Sequence, residues 1–277
     1  MRPIPIPKHI LSCWQSGLSN LEKIDRIKAN YSQLQKDKPQ VSIVIPAYNE
    51  EANILQTLLS LCSNSTRYSV EIIVVNNNSQ DATEQLVRAS GVTCINELKA
   101  GITAARTAGL MAAKGKYILN ADADTIYPID WIELMIIPLE SNRVALTYGR
   151  FAFIPVGNTG RLSYVCYEYI TDMIRWVKKY TKDEAVNVYG FNSAYRREDG
   201  LQVDGYQHPP GSNEDGYLAL KLRNNGYGKL HLVTNYKALV WTTDRRIQTD
   251  GGFVKAVFQR LKNLLWPSKQ FTIRQDL

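Results

Sequence analysis

Residues 117–125 read Tyr117-Ile-Leu-Asn-Ala-Asp-Ala-Asp-Thr125, a short apolar run that ends at two aspartates, Asp122 and Asp124. If the run is a buried strand, its end brings both carboxylates to the carboxyl edge of a sheet, where open α/β folds bind ligands. Two carboxylates this close repel each other unless a cation compensates. Oxygen ligands suit Mg²⁺ or Mn²⁺, which substrate phosphates often help to bind. The motif therefore indicates a metal site, although a solvated turn fits the same residues.

The composition is that of a globular protein. The chain has 277 residues, of which 44% are hydrophobic and 21% charged, and this length allows one large α/β domain or two smaller ones. No apolar run approaches the ~18 residues of a membrane span. Prolines interrupt the first residues, so they do not resemble a secretory signal. The net charge of +7 favours polyanionic partners, but it does not choose among nucleotides, phospholipid surfaces and nucleic acid.

The four cysteines have no paired spacing of the kind that marks a disulfide framework or a metal site. Cys62, Cys94 and Cys166 lie among apolar neighbours, and Cys13 is the fourth. We expect all four to be buried free thiols of a protein from a reducing compartment. This expectation favours the cytoplasm.

The chain divides into an N-terminal helical extension, a central domain and a C-terminal helix. Residues 1–39 have helical spacing after a capping box that begins at Ser19. From 40 to 125, strands alternate with helices, which predicts an α/β fold whose mostly parallel sheet has helices on both faces. Residues 126–245 are less regular and more aromatic, as expected of a substrate-facing half. Residues 246–277 carry a basic amphipathic helix, which fits packing on the domain or contact with a membrane surface.

Two further polar segments follow predicted strands. Pro46-Ala-Tyr-Asn-Glu-Glu51 follows the first strand and offers a ring that could stack on a nucleobase. Asn76-Asn-Asn-Ser-Gln-Asp81 follows the second strand and could read a base edge. Arg106, on a helix of small residues, could reach a diphosphate. Each feature alone also fits ordinary turn chemistry or a solvated helix face. No glycine-rich dinucleotide or Walker loop follows the first strand, which argues against those cofactors.

Taken in order, these segments resemble the family-2 glycosyltransferases over residues 40–245. The resemblance implies the GT-A fold, in which a nucleotide-sugar-binding half (40–125) and an acceptor half (126–245) share one sheet. It also implies inverting, metal-dependent transfer of a sugar from a nucleotide-diphosphate sugar to a hydroxyl acceptor. The segments that carry it are Val41–Glu51, Glu71–Thr83, Gly101–Gly109 and Tyr117–Asp124, followed downstream by Gly190–Arg197 and Asn213–Gly216.

The same resemblance implies roles for individual residues. Asp215 would be the base that deprotonates the acceptor hydroxyl, whereas Asn192 and Glu214 would bind the acceptor. Asp122 would contact the ribose or sugar, and Asp124 the metal, Mn²⁺ or Mg²⁺, that bridges the diphosphate. Taken alone, Glu214-Asp215 is better explained as a pair of carboxylates that complement a helix N-terminus, and only the ordered set of motifs favours the base. The donor-binding residues implied are Pro46, Tyr48, Glu50, Asn76, Arg106, Asp122, Ala123 and Asp124, the metal ligands being Asp122 and Asp124.

The chain departs from the family pattern at two places. The family usually has an aspartate where this chain has Asn76, so a UDP-sugar is favoured but the base preference stays open. No Gln-x-x-Arg-Trp motif of the processive synthases follows Asp215, and Arg175-Trp176 lies upstream of it, so we expect a single transfer per encounter. Arg245-Arg246 follows the last strand and fits either a grip on the diphosphate or a solvated turn.

Two alternatives from other classes remain open at this point. An apolar strand followed by Asp122-Ala-Asp-Thr125 also matches haloacid-dehalogenase phosphatases, with Asp122 as nucleophile and Asp124 as acid. The later motifs of that scheme would be Lys178 or Lys182 and the pair Glu214-Asp215. Those enzymes usually carry the signature on their first strand, however, and three strand patterns precede it here. A non-catalytic sugar-binding relative is suggested only by Asn76.

The expected partners follow from these interpretations. We predict a nucleotide-sugar donor, a glycan or lipid-linked glycan acceptor, and no nucleic acid. We further hypothesise a cytoplasmic protein with weak peripheral contact to the inner membrane leaflet through residues 251–269. There, Lys255, Arg260 and Lys262 adjoin an apolar stripe, and basic residues near an anionic bilayer contribute about 1 kcal/mol each.

Overall fold

Two sheets organise the protein, and the larger of them carries the carboxyl ends of the first strands to one edge. The computed structural model describes residues 2–249 and 251–265. Its strands are β1 (Val41–Ala47), β2 (Val70–Asn76), β3 (Thr93–Asn96), β4 (Tyr117–Asn120), β5 (Thr125–Ile126), β6 (Val144–Tyr148), β7 (Phe151–Ile154), β8 (Ser193–Arg196), β9 (Lys229–Leu232) and β10 (Val240–Thr243).

The helices lie on both faces of the larger sheet and at its ends. They are α1 (Lys8–Trp14), α2 (Asn20–Leu34), α3 (Ile54–Cys62), α4 (Thr83–Ala89), α5 (Ile102–Ala112), α6 (Trp131–Ile136), α7 (Arg161–Thr181), α8 (Arg197–Gln202), α9 (Glu214–Asn224), α10 (Arg245–Thr249) and α11 (Gly252–Leu265).

The larger sheet has the strand order β3-β2-β1-β4-β8-β6-β9. Of these strands only β8 runs antiparallel to its neighbours, β4 and β6, while the other pairs are parallel. A smaller sheet, β5-β10-β7, joins the segment after the aspartate pair to the last strand. The predicted α/β class with a mostly parallel central sheet is therefore confirmed, and strands one, two and four are neighbours.

Alternate residues of β1 enter two different cores, which explains why its apolar run is continuous. Ile43 and Ile45 belong to the core that includes Leu58 of α3, whereas Val44 belongs to the core that includes Ala105 of α5. A strand covered by helices on both faces buries every residue, so its sequence shows no alternation.

The N-terminal helices pack on the domain. Ser19 caps α2 through the predicted capping box with Glu22. The buried face of α2 joins the larger core, and the hydroxyl of Tyr31 accepts a 2.9 Å hydrogen bond from the backbone N–H of Ile72. The two N-terminal helices therefore extend the core of the domain.

The second half contains elements that the sequence pattern did not predict. The strands β5, β7 and β8 and the helix α8 have only two to six residues each, too few to show a hydrophobic period. The helix expected near 129–139 ends at Ile136, where a 3₁₀ turn that contains Pro138 takes over.

The expectation of four buried thiols is wrong for two of the cysteines. All four are free, and Cys62 and Cys94 are buried, but Cys13 is half-buried and Cys166 is exposed. Cys166 has apolar neighbours because α7 carries apolar residues on its outward face as well as its inward one. Neighbours in the sequence therefore did not indicate burial here.

The C-terminal amphipathic helix begins as expected. Backbone is described through Leu265 and side chains through Gln259, so Arg260, Lys262 and Lys269 lie outside the residues whose side chains are described. Phe253 packs its ring on α7. Within the described residues, no helix is at once long and apolar enough to cross a membrane.

Candidate active site

A cleft of about 700 Å³ lies at the carboxyl ends of β1, β2 and β4. Strand β1 pairs with both of the others, so three loops from separate parts of the chain meet there. The start of α9 and the turn before β8 close the opposite side. The predicted site residues that line the cleft are Pro46, Tyr48, Glu50, Arg106, Asp122, Ala123, Asp124, Glu214 and Asp215.

The turn that carries the aspartate pair is fixed by a tyrosine that sequence reasoning missed. The hydroxyl of Tyr127 accepts a 2.9 Å hydrogen bond from the backbone N–H of Asp122 and donates one of 3.1 Å to the carbonyl of Phe191. Its ring lies against Trp131, with 4.1 Å between ring centroids. The hydroxyl of Tyr127, three residues after Asp124, therefore links this turn by hydrogen bonds to the turn before β8.

Arg106 occupies the centre of the site. Its side chain is 2% exposed, and its Nη2 donates a 3.0 Å hydrogen bond to Asp122. Its Nε lies 3.4 Å from Asp215 Oδ1 and 4.0 Å from Glu214 Oε1. Burial alone would lower the pKa of Arg106, but the surrounding carboxylates raise it overall. One buried cation therefore compensates acidic groups from both halves of the domain.

Asp215 lies at the start of α9, where Asn213 caps the helix by accepting a 3.0 Å hydrogen bond from Gly216. Burial raises the pKa of the Asp215 carboxyl to about 7, with Glu214 adding to the shift and Arg106 opposing it. Within the described residues, its Oδ1 has no hydrogen-bond partner. A carboxylate that faces the cleft with a pKa near neutrality has the properties of a general base.

Asp124 lies in a second acidic group at the rim of the cleft. Burial, followed by the charges of Asp122 and Glu50, raises the pKa of its carboxyl to about 7. Arg245 opposes this shift, because its Nη2 lies 3.3 Å from Asp124 and 3.0 Å from Glu50. Of the two arginines after the last strand, Arg245 thus reaches the site, while the side chain of Arg246 lies outside the described residues.

Asp122 and Asp124 are the residues that could hold a divalent cation. No three histidine, cysteine, aspartate or glutamate side chains in the described ranges form a complete metal site. The mutual repulsion that raises the pKa of Asp124 is what a cation would relieve, and the all-oxygen donor set suits Mg²⁺ or Mn²⁺. A metal bound here would need further ligands, which a substrate diphosphate offers.

Asn76 does not lie in the cleft. Its Nδ2 donates hydrogen bonds to Asn96 at 3.0 Å and Glu84 at 3.3 Å, and its Oδ1 accepts one from the backbone of Ser79. The structure therefore does not bring the predicted base-reading side chain to the site. Its neighbour Asn77 lines the cleft instead, because successive residues at the end of β2 point to opposite faces.

Asn192 is likewise a buried structural residue. Its Oδ1 accepts a 2.9 Å hydrogen bond from the indole N–H of Trp131, and its Nδ2 donates one of 2.9 Å to the carbonyl of Arg150. The side chain is 2% exposed and does not line the cleft, so it is out of reach of an acceptor bound there. The prediction of an acceptor-binding role is corrected accordingly, and Phe191 and Gly190 line the cleft in its place.

The sequence model described as Glycosyl transferase family 2 matches residues 42–200. The chain belongs to this family. A relative described as a probable glycosyltransferase, YdaM of Bacillus subtilis, is 26% identical over 82% of this chain and 56% of its own length. The UDP-Glc:alpha-D-GlcNAc-diphosphoundecaprenol beta-1,3-glucosyltransferase WfaP of Escherichia coli is 33% identical over 40% of this chain and 45% of its own. The chain spans about half the length of the curated relatives it matches.

Solved structures of low sequence identity share the fold. The mannosyltransferase PcManGT of Pyrobaculum calidifontis, in complex with GDP-Man and Mn²⁺, superposes with a TM-score of 0.59 at 17% identity, covering 94% of this chain and 81% of its own. Glucosyl-3-phosphoglycerate synthase of Mycobacterium tuberculosis gives 0.54 at 20% identity, with 89% and 85% covered. The GT-A fold is confirmed. Membership of family 2 excludes the dehalogenase-type phosphatase.

Proposed function

We propose that the protein transfers a sugar, with inversion, from a nucleotide-diphosphate sugar to a hydroxyl acceptor. One observation carries the proposal: Asp215 and the pair Asp122 and Asp124 face the same cleft across a shared buried arginine, Arg106. Inversion needs a base on the side of the sugar opposite the leaving group. Asp215, at the start of α9, would lie on the acceptor side of the sugar. The carboxylates after β4 would lie on the side of the leaving diphosphate.

The donor nucleotide would lie against the ends of β1 and β2. Tyr48 is 57% exposed at the rim, where its ring is available for stacking on a base. The loop after β2 brings Asn77, Asn78 and Gln80 to the same cleft, so we assign base recognition to this loop instead of to Asn76. The solved neighbours hold GDP-Man and UDP-Glc, and a UDP-sugar is the donor we favour.

A divalent cation bound by Asp122 and Asp124 would neutralise the charge that develops on the departing diphosphate. Arg245 already contacts Asp124 and Glu50, and its guanidinium fits a diphosphate oxygen pair. We infer that Arg245 stays beside the diphosphate when the site is loaded. Mn²⁺ or Mg²⁺ is the expected ion, since both accompany nucleotides in the solved neighbours.

On the acceptor side, Asp215 would accept the proton of the attacking hydroxyl while Arg106 holds the carboxylate in place. Glu214, buried beside it, would bind the acceptor. A glycan or a lipid-linked glycan is the acceptor class we favour, and the name of WfaP specifies a lipid-linked one for that relative. We place the reaction in the cytoplasm. Peripheral membrane contact through residues 251–269 stays a prediction.

A panel of nucleotide-sugars tests the proposal. With Mn²⁺ present, the correct donor should raise the melting temperature, because it binds only the folded state, and EDTA should remove the shift. Slow release of nucleotide diphosphate should accompany binding and should be lost in Asp215→Asn. Donor binding without any release, in the presence of acceptor extracts, would identify a non-catalytic sugar-binding relative instead.

A further inference from the structure

The outward face of α7 carries a continuous row of exposed apolar and aromatic side chains. The residues of this row, which we call the α7 stripe, are spaced alternately four and three positions apart. That spacing keeps them on one face, with a drift of only about 20° per seven residues. The α7 stripe consists of Leu162, Cys166, Tyr169, Met173, Trp176 and Tyr180.

Packing within the protein does not account for the α7 stripe. The opposite face of the same helix is buried, through residues such as Tyr164 and Ile174. The stripe residues themselves stay open, with Trp176 64% and Tyr180 70% exposed. Of the 16 large hydrophobic side chains exposed in the described ranges, five lie on α7. Apolar residues scattered singly need no explanation, but a concentrated row marks an interaction surface.

Basic residues outnumber acidic ones along α7, and the two acids that follow the helix, Asp183 and Glu184, pair with Arg223 and Lys179. Residues 161–182 contain five basic and two acidic residues. Both acids turn inward: Glu168 is 1% exposed and pairs with Arg2 and Arg161, and Asp172 also pairs with Arg2. The exposed end of the helix instead carries basic residues, namely Lys178, Lys179 and Lys182, of which Lys179 contacts Glu184.

Helix α11 packs beside α7 and also carries exposed apolar side chains. Phe253 of α11 packs its ring against Tyr164 and Tyr167 of α7, with centroids 5.1 and 5.7 Å apart. The side chains one and five positions further on, Val254 and Phe258, are 81% and 66% exposed. Two neighbouring helices therefore both present apolar groups to the outside.

We propose that the α7 stripe docks on an anionic phospholipid bilayer, with α11 alongside. Tryptophan and tyrosine are the side chains that favour the level of the lipid headgroups, and lysines beside them attract anionic lipid. A second copy docked stripe to stripe would bring two sets of these lysines into one contact, so charge favours the bilayer. This docking does not depend on the proposed glycosyl transfer, and each can fail without the other.

Vesicle co-sedimentation tests the contribution of the apolar side chains of the α7 stripe to binding. The full chain should bind vesicles of phosphatidylglycerol and phosphatidylcholine at low salt, and it should not bind phosphatidylcholine alone. The double variant Trp176→Gln, Tyr180→Gln should partition at least tenfold less, since it removes two large apolar contacts. The matched control, Leu21→Gln with Met111→Gln, changes residues of similar exposure on α2 and α5 and should bind like the wild type. Equal loss in both pairs would overturn the proposal.

A second pair of variants tests the charge. Lys178→Gln with Lys182→Gln should weaken binding by about 25-fold, at about fivefold per lysine. The control Lys28→Gln with Lys38→Gln removes the same charge from an exposed part of the N-terminal segment and should change binding little. If both pairs weaken binding equally, net charge alone attracts the protein and the α7 stripe has no specific role.

A fluorescent probe within the α7 stripe distinguishes a bilayer from other groups that could cover the stripe. Cys166 is the exposed thiol of the four, so a nitrobenzoxadiazole maleimide reports its surroundings once Cys13 is replaced by serine. Emission should shift to the blue only when anionic vesicles are added. A blue-shifted emission without vesicles that grows with protein concentration would indicate a second copy. A blue-shifted emission without vesicles that does not depend on protein concentration would indicate that another segment of the same chain covers the stripe. Either result rejects the proposal.

Discussion

The guanidinium of Arg106 donates a 3.0 Å hydrogen bond to Asp122, although one residue comes from α5 and the other follows β4. The same guanidinium lies 3.4 Å from Asp215, on the far side of the cleft. A buried charge is stable only when paired, so the guanidinium of Arg106 needs neighbouring carboxylates in place. Donor side and acceptor side are thus joined through one side chain, before any substrate binds.

The first prediction concerns the stability that depends on this side chain. Arg106→Met should lower the free energy of unfolding by roughly 3–5 kcal/mol, because it leaves buried carboxylates without their cation. Urea denaturation followed by circular dichroism measures the change. Arg88→Met is the control, since Arg88 forms an exposed pair with Glu84 on a helix surface and should cost little. A variant at Arg106 as stable as this control would mean that the cluster is not held together by charge.

The second prediction concerns the metal. Asp124→Asn should abolish Mn²⁺-dependent donor binding while the fold stays intact, because an amide lacks the negative charge that a divalent cation prefers. Isothermal titration with Mn²⁺ and nucleotide diphosphate measures it directly. Asp130→Asn, which changes a surface carboxylate paired with Lys237, should bind like the wild type. Unchanged metal affinity in Asp124→Asn would remove this residue from the metal site.

The third prediction concerns Gly190, whose backbone lies close to the buried cluster of Arg106 and Asp215. A Cβ at Gly190 would lie 2.5 Å from both Arg106 Cζ and Asp215 Oδ1, so Gly190→Ala must displace one of these buried groups. We expect kcat to fall by at least tenfold with little loss of secondary structure. Gly160→Ala adds a Cβ where no atom lies within 4 Å and should leave turnover unchanged.

Much of the first half of the fold could be predicted from the sequence. Strands such as β1 are buried on both faces, and their unbroken apolar runs and terminal polar residues are visible without the structure. The convergence of Asp122 with Glu50 followed from the order of neighbouring parallel strands. In these regions local pattern and tertiary structure agree.

Other parts of the site depend on contacts between distant residues. Arg245 meets Glu50 across 195 residues, so its sequence context alone left a solvated turn equally plausible. Asn77 lines the cleft and Asn76 does not, because neighbouring side chains at the end of a strand point to opposite faces. An error of one residue in the assignment therefore selects the wrong side chain. Asn192 was assigned from a motif, whereas its amide is committed to Trp131 and the backbone.

The last prediction concerns Asp215, whose replacement should affect turnover but not donor affinity. Asp215→Asn should lower kcat by roughly 10²–10⁴-fold, because an amide cannot accept the acceptor's proton. The dissociation constant of the donor should change little, since the residue acts on the acceptor side. Rapid-quench turnover and donor titration separate the two quantities. A loss of donor affinity in place of turnover would place Asp215 on the other side of the site.

The same variant should be more stable than the wild type at neutral and higher pH. In the folded protein the pKa of Asp215 is raised from 3.8 to about 7, so between these values the folded state retains a proton that the unfolded chain has released. By linkage, stability then falls as pH rises from about 4 to about 7. Asparagine removes this dependence, so the melting temperature of Asp215→Asn should exceed that of the wild type by several degrees at about pH 8. The difference should shrink towards about pH 5. A variant that is less stable at about pH 8 would show that Arg106 favours the ionised carboxylate, and that Asp215 is not poised as a base near neutrality.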